Sequence, residues 1–189
     1  KRGDVIIGKV IDVAISGWRV EINSAYTAML SMKDATSEFI ARGADLTRYF
    51  TFGDYIVTSI VNVTSQNLVD LSMKGPGLRK LPEGRIITVA PNKVPRIIGK
   101  QGSMVSMIKD ATGCKIIVGQ NGIVWLQGEP GQELVAVAAL RKIESESHIS
   151  GLTDRIKAFL EEEARKLQIG QSPIAHSASG GIVPRGSSA

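Results

Sequence analysis

The sequence predicts an α+β fold in two domains. A five-stranded β-barrel occupies residues 1–73, and a three-stranded sheet with helices on one face occupies residues 84–147. A C-terminal helical segment follows over residues 148–170. Three observations carry this prediction. Short β-branched runs bounded by turn residues crowd the first 73 positions. Beyond them, helical apolar spacing alternates with brief strand patterns. Between the two regimes, "KGPGLRKLPEG" has no periodicity and is rich in Gly and Pro, so residues 74–83 read as a linker.

In the first region "DVIIGKVIDV", "GWRVEI", "YIVTSIVNV" and "LVDLSM" are strand patterns. "SMKDATSEFIARGADLTRYF" is polar and loop-like, with at most a short helix. Short strands at this density suggest a Greek-key barrel of the OB type. In the second region "RIITVA" reads as a strand, "KVPRII" as a short helix, "GKQG" as a loop and "SMVSMIKDAT" as a helix stopped by Gly113. "CKIIV" and "IVWLQ" are strands joined by "GQNG", in which Asn121-Gly122 signals a tight turn. "PGQELVAVAALRKIESES" is a helix with Pro130 in its first turn. Ile123 and Trp125 alternate with Val124 and Leu126, so both faces of the sheet are apolar and the uncovered one should pack on another domain or subunit. The last helix, "LTDRIKAFLEEEARKL", aligns Leu152, Ile156, Phe159, Leu160 and Leu167 in one stripe.

Composition narrows the function classes. No apolar run approaches the roughly 20 residues that span a bilayer, and nothing at the start reads as a signal peptide, so no membrane association is expected. The lone cysteine, Cys114, excludes an intramolecular disulfide and reads as a buried thiol in a reducing, cytoplasmic protein. The two histidines, His148 and His176, belong to no metal-ligand cluster, and the carboxylates are scattered. No catalytic residue, metal site or cofactor is expected, and the chain reads as a non-enzyme. Charge is uneven: residues 1–73 hold seven Lys/Arg against eight Asp/Glu, residues 74–147 eleven against six. That basic segment suits a polyanionic partner. The start on "KRGDVIIGKV" reads as a truncated chain, and residues 171–189 read as a flexible tail whose "SASGGIVPRGSSA" resembles an expression-tag remnant.

"IIGKQGSM" is the most informative stretch. Gly99 and Gly102 let backbone approach a ligand, and the amides that open the following helix lack intrahelical partners and would seat a phosphate oxygen. Lys100 and Gln101 lie between the glycines, with Lys93 and Arg96 just upstream. A groove lined by Ile97, Ile98, Val105, Ile108 and Ile116 would take the bases. Over residues 84–146, with "IIGKQGSMVSMIKDATGCKI" as its core, the chain resembles a type I KH domain, a clamp for about four nucleotides of single strand.

The first region is similar to the S1 RNA-binding domain, carrying Gly8, Val10, Val13, Gly17 and Val20. Such barrels hold single strands through stacking aromatics and a positive groove. Here Arg19 stands where a stacking aromatic is common and Ser31 where histidine often stands, so Arg19, Tyr26 and Lys33 are the candidate contacts, with Arg42 and Arg48 adding charge. Trp18 shares the parity of Val20 and reads as a core residue.

An S1 barrel, one KH domain and then "ESHISGLTDRI" resembles the RNA-binding cap subunits of the archaeal exosome over residues 1–168. The resemblance implies a non-catalytic component that captures single-stranded RNA, favours A-rich 3′ tails and guides them into a ring of phosphorolytic subunits for 3′-to-5′ degradation. It also implies a trimeric cap on a hexameric ring and a further N-terminal β domain ahead of residue 1. Two alternatives stay open: an S1/KH regulator of transcription or translation, and a structural adaptor whose KH loop does not touch RNA.

Overall fold

The computed structural model describes residues 1–170; His176 and the tail lie outside that range. The first domain closes from five strands: β1 (Val5–Val13), β2 (Gly17–Glu21), β3 (Thr27–Ser31), β4 (Tyr55–Val63) and β5 (Leu68–Ser72). They run in the order β1-β2-β3-β5-β4, and β4 pairs back on β1, which removes both open edges. Only β3–β5 is parallel, with Ala28 opposite Val69 and Leu30 opposite Leu71. Alternation, interrupted by register shifts at Val10/Asp12 of β1 and Ile60/Asn62 of β4, builds the core. Val10, Trp18, Val20, Ala28, Leu30, Ile56, Val69 and Leu71 turn inward and are nearly inaccessible.

Trp18 is a core residue: its ring meets Phe50 edge-on at 5.1 Å, and its Nε1 donates to the Phe50 carbonyl at 2.8 Å. Between β3 and β4 lie a one-turn helix α1 (Met32–Ala35), capped by Ser31, and a 3-10 turn at Leu46–Arg48 capped by Asp45.

Residues 79–81 do not read as structured in the sequence, yet they are. Arg79–Lys80 form a short strand β6 that pairs with Ile56 and Val57 of β4, and Leu81 is buried between the domains. Periodicity has no purchase on a two-residue strand, which explains why the stretch looks like linker.

The second domain runs β7 (Arg85–Thr88), α2 (Val94–Ile98), α3 (Ser103–Thr112), β8 (Lys115–Val118), β9 (Ile123–Gln127) and α4 (Pro130–Glu146). Its sheet is antiparallel in the order β7-β9-β8. Val124 and Leu126 of the central strand face the helices, where they join Ile97, Ile108, Ala139, Leu140 and Ile143 in the main core. Helix α5 (Leu152–Gly170) adds Leu152, Ile156 and Leu160 to the same core, with Phe159 and Leu167 packed at its margin, so its apolar stripe is used internally.

The other face of β9 answers the sheet's second apolar side. Trp125 packs with Ile7, Val57 and Leu81 in a separate cluster that joins sheet to barrel, and its Nε1 donates to the Pro82 carbonyl at 3.1 Å. Burying this many apolar side chains at the junction resists independent motion of the two domains.

Candidate nucleic-acid interface

The GKQG loop connects α2 to α3 with little room for variation. Gly99 sits at φ 75°, ψ 175°, a conformation reserved for glycine, and a Cβ there would lie 2.7 Å from both the Met104 nitrogen and its Cβ. Gln101 is left-handed at φ 55° and Gly102 at φ 77°. No side chain caps the start of α3, where Gly102 N and Ser103 N donate within the loop to the carbonyls of Gly99 and Lys100. Lys100 and Gln101 are exposed. The arrangement sets two exposed polar side chains at the N-terminal end of α3, which suits an extended anion.

Lys93 and Arg96 are differently employed. Lys93 Nζ donates to Ser147 Oγ at 2.6 Å, and Arg96 Nε donates to the Ser147 carbonyl at 3.1 Å. Both cations thus stand at the C-terminal end of α4, where the helix dipole favours positive charge. They hold α2 against α4 and retain only their remaining donors for a ligand.

The apolar plates expected beside the loop are a correction. Ile97 and Ile108 are wholly buried, Ile116 is 3% and Val105 8% exposed, and only Ile98 is half-buried. The helices α4 and α5 give the KH core enough cover to absorb these side chains, leaving little of them for bases.

The second Gly-x-x-Gly stretch, GQNG, is the β8–β9 turn and is docked under the barrel. Asn121 Nδ2 donates to the carbonyls of Ile7 and Ile22, each at 2.8 Å, while its Oδ1 accepts from Ile7 N at 3.4 Å. Asn23 Nδ2 donates to the Asn121 carbonyl at 2.9 Å, and Gln120 N to the Val5 carbonyl at 2.9 Å. Sequence reasoning sees here only a hairpin turn. The available signal was the pairing of a polar turn with a two-sided apolar strand.

On the barrel the three candidates separate. Arg19 is exposed on β2 and ion-pairs with Asp12 at 3.5 Å across β1. Tyr26 precedes β3 and lines a cleft of about 670 Å³ between barrel and turn, shared with Lys1, Arg2, Asn23 and Asn121. Lys33 lies past the other end of β3, exposed on α1. Five residues of strand put roughly 17 Å between Tyr26 and Lys33. The fold therefore gathers Gly99, Lys100, Gln101 and Gly102 into one loop, and distributes Arg19, Tyr26 and Lys33 over the barrel. Among the described residues, no group of three or more His, Cys, Asp and Glu side chains is placed to hold a metal ion, and no helix is long and apolar enough to cross a membrane.

Comparison with known proteins agrees with this architecture. The KH domain family matches residues 84–144. The exosome complex component Rrp4 of Thermoplasma acidophilum is 44% identical over 162 residues, covering 86% of this chain and 68% of that protein. Its counterpart from Picrophilus torridus is 48% identical over 161 residues, covering 84% and 68%. A crystal structure described as that of an exosome complex RNA-binding protein superposes with a TM-score of 0.79 at 37% identity, covering 89% of this chain and 97% of that one. At 44% identity over 86% of this chain and 68% of the relative, the chain belongs to the Rrp4 family of exosome complex components.

Proposed function

We propose that this chain is a non-catalytic, RNA-binding subunit of an archaeal exosome. It captures single-stranded RNA and guides 3′ ends, A-rich ones preferentially, into a phosphorolytic ring that degrades them 3′ to 5′. In this reading three copies cap a hexameric ring in the cytoplasm, and bond breaking belongs to the ring. Family membership over 86% of the chain at 44% identity carries the proposal. The exposed Lys100–Gln101 pair over the uncapped start of α3 supports it as a phosphate contact, with Gly99 and Gly102 allowing close approach. Arg19, Tyr26 and Lys33 add contacts on the barrel, and the single buried thiol of Cys114 suits a reducing compartment.

Incubation of the purified chain with end-labelled RNA and inorganic phosphate, alone and with ring subunits, tests this. The chain alone is expected to bind RNA without shortening it and to accelerate degradation by the ring. Oligoadenylate is expected to compete better than oligouridylate. Shortening of RNA by the chain alone would overturn the proposal.

One observation favours a narrower role for the KH domain. Its β8–β9 turn is occupied by the barrel, and Lys93 and Arg96 are bonded to Ser147. In that reading the KH domain mainly fixes the barrel, and RNA runs over the barrel. Replacing Lys100 and Gln101 by glutamate distinguishes the two, because an unchanged affinity and salt slope would leave the KH loop without RNA.

A further inference from the structure

We infer that Phe39, flanked by Lys33, Arg42 and Lys74, is a base-stacking platform for single-stranded RNA on the barrel, separate from the KH loop. The inference rests on the RNA-binding reading above and adds a site to it.

Phe39 is 91% exposed, the most exposed aromatic side chain among the described residues. Trp18, Trp125 and Phe50 are buried; Tyr49, Tyr55 and Phe159 are partly buried; and Tyr26 is less than half exposed. Phe52 is exposed as well, but Lys9 Nζ already stands 5.9 Å from its ring centre. Phe39 is held in place by its neighbours. Ile40 beside it and Ala35 before it are each 5% exposed, and Glu38 N donates to Thr36 Oγ1 at 3.2 Å. The loop is thus pinned on both sides of a ring that points to solvent.

The surrounding charge matches a polyanion. Phe39 borders a cleft of about 490 Å³ that also takes in Lys33, Arg42 and Lys74, with Glu38 the only opposing charge. Among the described residues none of these three cations enters an ion pair, and all are exposed. Lys74 is brought there by the fold, because Met73 N donates to the Asp34 carbonyl at 2.8 Å and so lays the end of β5 along α1. A free π-face beside unpaired cations suits a nucleic-acid strand, with the base on the ring and the phosphates on the cations. A protein partner would have to strip water from all three cations to reach the ring.

This cleft lies at the end of the barrel away from the KH domain. The β2–β3 connection touches the KH turn through Asn23, whereas α1 follows the opposite end of β3. A strand held here is held independently of Lys100.

Fluorescence anisotropy with a labelled oligoadenylate, on the full chain, tests the assignment. Phe39→Ala and Phe39→Leu are each expected to weaken binding about fivefold or more, since stacking needs the ring and not merely apolar bulk. The slope of log affinity against log salt should stay unchanged in both. Lys33→Ala, Arg42→Ala and Lys74→Ala should each lower that slope by about 0.7. Phe39→Trp should keep the affinity, and because both native tryptophans are buried, its emission should report on this site and be quenched by RNA. Equal binding by Phe39→Ala, or an emission unmoved by RNA, overturns the platform while leaving RNA binding intact. Loss of ring association with RNA affinity retained overturns it in favour of protein docking. An unsubstituted chain that binds no RNA overturns both this inference and the function on which it rests.

Discussion

Two loops of the KH domain share one pattern, glycine, two residues, glycine, and meet opposite fates. GKQG at 99–102 presents Lys100 and Gln101 to solvent, while GQNG at 119–122 hands Asn121 to the backbone of Ile7 in β1 and of Ile22 just past β2. The difference lies in what flanks each loop. GKQG joins two helices, and its backbone bonds among the described residues stay within the KH domain. GQNG ends a hairpin whose central strand carries Trp125 into the junction, so its tip must follow. A short motif therefore states what backbone is permitted, and its setting states what the loop touches.

Removing the amide at the docked loop should have the largest effect. Asn121→Ala deletes two bonds to carbonyls and one from Ile7 N, leaving their partners under the barrel without replacement. A loss of about 2–4 kcal/mol is expected, read by urea unfolding, with barrel and KH transitions separating. A single unshifted transition would show that the side-chain bonds do not couple the domains.

Next comes Gly122→Ala. Its φ is +86° and a Cβ would stand 2.3 Å from the Val89 carbonyl oxygen, so backbone must move. A loss of about 2–3 kcal/mol is expected. The matching change in the open loop, Gly102→Ala, meets nothing within 4 Å and should cost only the left-handed strain, about 1 kcal/mol. Equal losses at the two glycines would erase the contrast between the loops.

Charge reversal at the open loop should spare stability and change binding. Lys100→Glu is expected to leave the unfolding midpoint nearly in place and to weaken RNA binding about tenfold, as for loss of one charge-assisted bond. The salt slope should fall by about 0.7. The smallest effect belongs to Gln101→Gly. Gln101 is left-handed, and relieving it should stabilise the chain by about 0.5–1 kcal/mol, seen as a small rise in Tm. A fall in Tm would mean that the Gln101 side chain holds the loop.

Much of the fold was legible because it rests on periodicity. Alternation in "GKVIDV" and "GWRVEI" marked the barrel wall, and the two-sided apolar strand around Trp125 announced a covered second face. Less of the candidate site could be read. Lys93 and Arg96 counted as free charge in the chain, whereas folding brings Ser147, more than 50 positions away, to their donors. Phe39 and Ile40 are adjacent apolar residues in a polar stretch. Nothing local says that Ile40 turns inward and Phe39 outward, because that choice depends on what the barrel core has room for.

The sequence alone determined the main strands and helices, though not the two-residue β6, and where the glycine loops fall and which module each belongs to. These are local properties, set by side-chain period and by the conformations open to glycine. Only the tertiary structure decided which of two alike loops is buried, which cations are already bonded and which aromatic keeps a free face. Those outcomes depend on atoms far apart along the chain, whose meeting is fixed when barrel and KH sheet pack on Trp125.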